Sequence, residues 1–466
     1  MAKMTKKSGG IIISRVKKTN RDFIRAKKHY ENLTRHMIHR RRFSRLLRVL
    51  GPGVVTGAAD DDPSGIATYS QAGASYGMGY LWMFPVMYPL LLAVQESCSR
   101  IGAVTGKGLA AVIKENYSKK LLIMSVLLVV AANTINIGAD LGAMAATAQL
   151  FVDVPFAILA VLFAAIVIIL VIFVNYKKYA KILKWLALAL LAYPITALLV
   201  GQNWVELFRN TFAVMPKINA ETIYIMVGIF GTTVSPYCFF WDTSEVVEEE
   251  IAHHRVNENG TSLKISKRFL SSIRLDNFFG MSLASVTAWF IVVACATVLY
   301  NNGIHDINSA ADAAKALEPL VRGFPYSGLI AKLIFSVGII GTGLLAVPTL
   351  AGSSAYAISE TLGWREGLYR KFSRAAGFYT VIIVATVVGL VINFIGVDPI
   401  QALIFTAVFN GIAAIPLLYM IARIGNNRQI MGEYKNKMLS NVFVKLSLII
   451  MAAAVACLFF FLATGK

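Results

Sequence analysis

Three consecutive aspartates, Asp60, Asp61 and Asp62, lie inside the otherwise apolar stretch GPGVVTGAADDDPSGIATYSQAG. The helix-breaking residues Pro63 and Gly65 follow almost at once. A carboxylate at the centre of a membrane helix costs at least about 2.5 kcal/mol. Irregular backbone at that depth is tolerated only where it is buried in protein or lines a watery cavity. The stretch therefore predicts a broken helix whose acidic side chains face a bound cation.

A second polar interruption lies in GIFGTTVSPYCFFWDTSEVV, around Pro236. It offers the backbone near Thr232 and the hydroxyl groups of Ser235 and Tyr237. With Asp62 these groups form a set of hard oxygen donors, which suits magnesium, calcium or manganese better than softer metals. Neither break contains Lys or Arg, which an organic anion would require. The two breaks therefore predict a site for a divalent metal cation.

The three aspartates cannot all be ligands, because neighbours on a helix point about 100° apart. Asp62 directly precedes the break and is the predicted metal ligand. Asp61 is predicted to lie on the approach path, where its charge attracts cations. For Asp60 two positions stay open, behind the metal ligands or facing a water-filled vestibule.

Three further polar residues lie in or near the predicted spans, and each has either a role in the ion pathway or a purely structural role. Asp242, just past the second break, lines an inward exit or marks the return of the helix to water. Asn410, in TAVFNGIAA, is a polar gate, a ligand or a helix-packing amide. Glu96 stands four residues before Arg100, so the two predict an ion pair along one helix.

The elements that must position these residues are membrane helices. The chain has 466 residues, of which 57% are hydrophobic and 15% charged, which excludes an ordinary soluble protein. A span needs roughly 20 apolar residues. Eleven runs of this kind are predicted, at about 49–73, 78–99, 121–150, 154–174, 182–201, 222–244, 276–300, 327–358, 376–396, 400–422 and 442–463.

The interrupted spans are the first and the sixth, so spans 1–5 and 6–10 form two sets of five. An odd number of spans per set inverts the second copy, and paired broken helices in inverted repeats indicate the midplane site of a transporter. We therefore predict an all-α membrane protein with a basic tail at residues 1–45 and a transport domain at residues 46–466. Within the transport domain, the first repeat covers about 46–201, the second about 221–423, and an extra helix about 442–463.

The net charge of +20 reflects topology rather than nucleic-acid binding. With the N-terminus inside, 39 of the 45 Lys and Arg residues fall in the tail and the inner loops, as the positive-inside rule requires. This predicts a multi-pass protein of the cell membrane with a cytoplasmic N-terminus and an extracytoplasmic C-terminus. The expected partners are divalent metal ions and the lipid bilayer, with no nucleic acid, obligate protein partner or cofactor. The sequence contains no HExxH motif, and no enzyme is predicted.

Both breaks, with GAVTGKGLA between them, resemble the natural resistance-associated macrophage protein (NRAMP) family of divalent-metal transporters. The resemblance covers spans 1 to 10 in order. It implies a LeuT-like fold with inverted repeats of five helices. It also implies a metal held between an Asp-Pro-Gly-Asn break and a Met-Pro-His break.

This chain departs from the pattern of the family at three site positions. Gly65 replaces the asparagine, Ser235 the methionine and Tyr237 the histidine. Losing the thioether removes the soft ligand, and Mg²⁺ gives up its waters reluctantly. A roomier, harder site therefore favours partly hydrated Mg²⁺, and the chain is most similar to the NRAMP-related magnesium transporters, which lack the methionine.

The acidic proton-path residues of the family on the third helix fall at Asn136 and Ala139, although the nearby Asp140 leaves that alignment open. Loss of these acids and of the histidine predicts transport of Mg²⁺, and of Mn²⁺, without proton coupling. One alternative is a proton-coupled Mn²⁺ or Fe²⁺ symporter, to which Cys238 could supply sulfur. A second alternative, a sodium-coupled carrier of organic solutes, fits the clustered carboxylates poorly.

Overall fold

The computed structural model describes residues 56–57, 59–174, 191–199, 204–213, 216–252, 267–323 and 326–464. The described residues form helices joined by turns and short loops, and they contain no strand. The predicted basic tail and most of the fifth predicted span lie outside them.

The α-helices of the described residues follow one another along the chain as in a polytopic membrane protein. In order they are α1 Pro63–Tyr76, α2 Met83–Thr105, α3 Leu109–Asn116, α4 Lys119–Ala148, α5 Phe156–Phe173, α6 Ala192–Leu199, α7 Trp204–Ala213, α8 Ala220–Thr233, α9 Pro236–Ala252, α10 Lys267–Val298, α11 Ala310–Lys315, α12 Ser327–Leu362, α13 Ala376–Ile392, α14 Pro399–Asn426, α15 Arg428–Met431 and α16 Met438–Thr464.

Eight helical segments of the described chain are long and apolar enough to cross a membrane. They are α4, α5, α8 with α9, α10, α12, α13, α14 and α16, at the positions of predicted spans 3, 4 and 6 to 11. Helix α2 lies where the second span was predicted, and its 23 residues correspond to a length of about 35 Å. The first and fifth spans are described only in part.

Both predicted helix breaks are confirmed. Residues 59 and 60 are helical, the helix stops at Asp61 and Asp62, and α1 begins at Pro63. Helix α8 ends before Val234, whose ψ of 62° leaves the helical region, and α9 begins at Pro236. Proline suits the first position of a helix, because the N–H it lacks would be unpaired there anyway. The same sequence feature therefore ends one half-helix and starts the next in both spans.

Helix α8 reaches its breakpoint in close backbone contact with α14. A β-carbon placed on Gly231 would overlap the carbonyl oxygen of Ala407 and the backbone nitrogen of Gly411. Only glycine permits this approach, because the clashing atoms belong to the backbone and cannot rotate away. Helix α4 packs along α12, α13 and α14 and carries polar side chains to the same region.

We expect Gly231→Ala to destabilise the protein by about 1–3 kcal/mol, the usual cost of overpacking a tight contact. The measurement is thermal unfolding of the purified protein in detergent. Gly323→Ala is the matched control, because a β-carbon at Gly323 meets no atom within 4 Å. Equal unfolding temperatures for the two variants would contradict the close packing of α8 on α14.

Candidate metal site

Asp62 caps the N-terminus of α1, a position at which aspartate is among the preferred residues. Its Oδ1 accepts hydrogen bonds from the Gly65 backbone N–H at 2.8 Å and the Ser64 hydroxyl at 2.7 Å. Its Oδ2 accepts one from Nδ2 of Asn136 at 2.9 Å. The residue is 1% exposed. An ionised carboxylate has about four acceptor positions, so Asp62 keeps about one for a cation.

Asn136 and Thr406 form a second layer behind this carboxylate. The Thr406 hydroxyl, on α14, donates to Oδ1 of Asn136 at 2.9 Å. This bond orients the amide so that its N–H group points at Asp62. Asp62, Asn136 and Thr406 thus join the first break to α4 and α14 through neutral donors.

The two breaks face each other through hydroxyl groups. The Ser64 and Thr232 hydroxyl oxygens lie 3.4 Å apart, and those of Tyr69 and Thr233 lie 3.0 Å apart. A β-carbon on Gly65 would lie 3.1 Å from the Thr232 hydroxyl oxygen. The structure therefore brings predicted residues Asp62, Gly65 and Thr232 together at one place.

Ser235 and Tyr237 use their hydroxyl groups to satisfy backbone carbonyls that the breaks leave without helical partners. Ser235 donates to the carbonyl oxygen of Thr232 at 2.5 Å. Tyr237 donates across the breaks to the carbonyl oxygen of Ala59 at 2.9 Å. A hydroxyl oxygen that donates its proton still carries lone pairs. Both hydroxyl groups therefore remain able to coordinate a cation through oxygen.

The other two aspartates are also buried, with Asp60 2% and Asp61 5% exposed. The Cys238 thiol contacts Oδ1 of Asp60 at 3.5 Å, so this sulfur is engaged with an acid next to the first break. Within the described part of the chain, no three acidic, histidine or cysteine side chains converge to form a metal cage. A cation here would take its remaining ligands from hydroxyl, amide, carbonyl or water oxygens.

The alignment of the family's third-helix acids left Asp140 unassigned, and the structure places this residue near the first break. It lies one helical turn after Asn136, so the two share a face of α4. Asp140 is fully buried, and neither carboxylate oxygen has a hydrogen-bond partner among the described residues. Its charge interacts with that of Asp62. The spacing of four residues from Asn136 is the sequence signal that identifies it.

Met144 continues the same face of α4 by another turn, and no sequence pattern singles it out. A β-carbon on Gly343 of α12 would contact the Met144 sulfur and lie 3.5 Å from Cγ of Pro63. The methionine is fully buried. A thioether therefore packs close to the first break, although not at the position that the resemblance implies.

The two remaining pathway candidates lie on different helices. Asn410 is fully buried one turn after Thr406, and neither of its amide atoms has a hydrogen-bond partner among the described residues. Asp242 accepts a hydrogen bond from Ser99, which in turn accepts one from Asn277 at 2.7 Å. At 1% exposed, Asp242 does not mark the return of its helix to water. Its place on an inward exit stays a prediction.

The predicted ion pair between Glu96 and Arg100 is confirmed. Arg274 of α10 also approaches this carboxylate, with its Nε atom 3.5 Å from Oε2 of Glu96. The pair lies at the end of α2, away from the breaks, and carries no role in the candidate site.

Two facing helix breaks, lined by buried acidic and hydroxyl groups within long apolar helices, define a membrane protein of the LeuT-like transporter fold. The crystal structure of MhsT in complex with L-phenylalanine shares this fold. It matches at a TM-score of 0.58 and 12% identity, over 88% of this chain and 98% of that one. The chain belongs to the Nramp family, described as natural resistance-associated macrophage protein-like, whose sequence model matches residues 53–461.

Similar proteins support the same assignment. The chain is 24% identical over 409 residues to a divalent metal cation transporter MntH of Caldanaerobacter subterraneus, covering 85% of this chain and 89% of that protein. The crystal structure of the Eremococcus coleocola manganese transporter matches at a TM-score of 0.70 and 17% identity, over 88% of this chain and 86% of that one.

Proposed function

We propose that this protein carries divalent metal cations across the membrane by alternating access, with Mg²⁺ as the preferred ion and Mn²⁺ also accepted. One observation carries the proposal. The side chains that meet at the two breaks offer carboxylate and hydroxyl oxygens, with Ser235 and Tyr237 where the family resemblance implies methionine and histidine. The names of the MntH relative and the manganese transporter support the divalent class.

Hard oxygen donors favour Mg²⁺ over softer transition metals. Asp62 already accepts three hydrogen bonds from protein groups, so it has little capacity left for direct coordination. Mg²⁺ typically keeps several waters and binds through one or two carboxylates. An ion anchored by Asp62 and otherwise contacted through water by Ser235, Tyr237 and the Thr232 backbone fits these groups. Gly65 supplies no side-chain ligand where the family has one, and its backbone N–H holds Oδ1 of Asp62.

We propose that transport proceeds without proton coupling. The group that contacts Asp62 from α4 is the neutral amide of Asn136, which does not exchange a proton. A membrane potential of 100 mV supplies about 2.3 kcal/mol per charge, and therefore about 4.6 kcal/mol for a divalent cation. That driving force concentrates the ion without a second gradient.

Competition between metals tests the preference. The purified protein is reconstituted in liposomes, and Mn²⁺ entry is followed with and without millimolar Mg²⁺ outside. We expect Mg²⁺ to suppress Mn²⁺ entry, because both ions occupy the same oxygen site. Undiminished Mn²⁺ or Fe²⁺ entry at millimolar Mg²⁺ would refute the magnesium assignment.

A second candidate function, proton-coupled uptake of Mn²⁺ or Fe²⁺, is favoured by two side chains of α4. Asp140 is a buried acid with both oxygens unpaired among the described residues, and it lies within electrostatic range of Asp62. Met144 places a soft sulfur close to Pro63. A proton carrier and a thioether are two features that the proposal of uncoupled Mg²⁺ transport does not use.

Asp140→Asn separates the two functions. In the uncoupled protein, we expect metal entry without internal acidification both before and after the substitution. Loss of one nearby negative charge should raise the Mg²⁺ concentration for half-maximal flux by about threefold, a weakly screened electrostatic effect. Liposomes with an internal pH reporter provide the measurement. Acidification in the original protein that disappears in the variant would establish proton coupling through Asp140.

We also infer the membrane arrangement from charge. The Lys and Arg distribution supports a cell-membrane protein with its N-terminus in the cytoplasm and its C-terminus outside. We place Asp61, Asp60, Asn410 and Asp242 along the ion pathway. All four are buried polar residues on helices of the bundle, or at the helix breaks.

A further inference from the structure

A cavity of about 450 Å³ is lined by residues none of which belongs to either break. It is bordered by the end of α2, the start of α10 and the connection between α15 and α16. Five basic residues line it, namely Arg100, Lys267, Arg274, Lys435 and Lys437. The cavity therefore gathers positive charge from three separate parts of the chain.

Acidic side chains neutralise only part of this charge. Glu96 pairs with Arg100 and approaches Arg274, and Glu433 is the other acidic residue of the lining. Two acids against five bases leave an excess of three positive charges. None of the three lysines forms an ion pair with a described residue. These ammonium groups are therefore available to bind an anion.

Basic side chains at the border of the cavity are followed directly in the chain by exposed apolar side chains. Lys437 is followed by Met438 and Leu439 of α16, which are 85% and 67% exposed. Helix α16 is one of the long apolar segments, and these two exposed side chains stand at its start. Leu270 and Ile273 of α10 add apolar surface to the lining. A ligand with an anionic head and apolar tails matches both parts.

We propose that this cavity binds the phosphate headgroup of an anionic phospholipid. Basic pockets between helices at a membrane surface bind such headgroups, and both Lys and Arg are strong phosphate binders. The acyl chains would lie along the exposed apolar side chains at the start of α16. Because the cavity lies between α2, α10 and the α15–α16 connection, the bound headgroup holds together three segments that are distant in sequence.

The test uses the full chain in nanodiscs made of phosphatidylcholine with a minor fraction of phosphatidylglycerol. Lipids retained by the protein are counted by native mass spectrometry after transfer to detergent. We expect the triple variant Lys267→Gln, Lys435→Gln, Lys437→Gln to retain phosphatidylglycerol at least about tenfold less tightly, because each lysine near a membrane surface contributes about 1 kcal/mol.

The matched control is Lys119→Gln, Lys120→Gln, Lys371→Gln, which removes the same charge from exposed positions outside the cavity. It should retain the lipid as the original protein does. Equal retention by the two triple variants would overturn the proposal. So would displacement of the retained lipid by millimolar inorganic phosphate, which would assign the cavity to a soluble anion instead. Lys437→Glu alone provides a second variant should the triple change impair folding, and it should weaken retention in the same direction.

Discussion

Replacement of Asp62 by asparagine is expected to reduce metal flux to the background of empty liposomes. The substitution removes the negative charge that anchors the cation. It keeps one oxygen that can cap α1, while the acceptor for the Asn136 amide is lost. The measurement is Mg²⁺ entry into liposomes that contain a magnesium-sensitive dye.

Asp62→Ala should lose flux to the same extent and also lose stability. An alanine at the N-cap costs about 1 kcal/mol, in addition to the cost of about 1–3 kcal/mol for a buried Asn136 amide that lacks an acceptor in both variants. Comparing the two variants therefore separates the role of the charge from that of the cap. Asp60→Asn is the matched comparison, which removes the same charge from a neighbouring buried position on the proposed pathway, and it should lower flux without abolishing it. Flux retained in Asp62→Asn but lost in Asp60→Asn would move the anchor to Asp60.

Exchange of the site residues for those of the family pattern should shift the preference from Mg²⁺ toward Mn²⁺. We expect Ser235→Met with Tyr237→His to raise the Mn²⁺-to-Mg²⁺ flux ratio about tenfold, equivalent to 1.4 kcal/mol. The added thioether and imidazole bind Mn²⁺ better than Mg²⁺. The Tyr237→His substitution also removes the hydroxyl that donates to the Ala59 carbonyl. Because this hydrogen bond joins the two breaks, total flux should fall.

Adding Gly65→Asn completes the family pattern but meets a steric limit. A β-carbon there lies 3.1 Å from the Thr232 hydroxyl oxygen and 3.3 Å from the Tyr69 ring. These neighbours must shift before an amide can reach the ion, so we expect the triple variant to be less active than the double one. Gly65→Ala measures this crowding without adding a ligand. An unchanged metal ratio in both the double and the triple variants would contradict the assignment of these residues to the site.

The helix breaks were predictable because their causes are local. An acid followed by proline ends one half-helix and caps the next, and Pro236 likewise starts the second half-helix of the other break. The apolar runs were predictable for the same reason, since length and composition alone identify a span. The ion pair between Glu96 and Arg100 also follows from spacing on a single helix.

The hydrogen bonds of the site were not predictable, because they join residues that are far apart in the chain. Asn136 reaches Asp62 across 74 positions, and Tyr237 reaches the Ala59 carbonyl across 178. Such contacts depend on how the helices pack, which the pattern of a single helix does not contain. The sequence therefore predicted a set of oxygen donors but not their hydrogen-bond partners, and it left Asp140 unassigned.

The proposal of Mg²⁺ transport without proton coupling is tested by magnesium flux in liposomes with an imposed membrane potential. An internal magnesium dye and an internal pH reporter are read at the same time. We expect a negative interior potential to drive Mg²⁺ entry while the internal pH stays constant, and we expect Asp62→Asn to abolish the entry. Internal acidification that accompanies metal entry, or the absence of any Mg²⁺ signal alongside robust Mn²⁺ entry, would contradict the proposal.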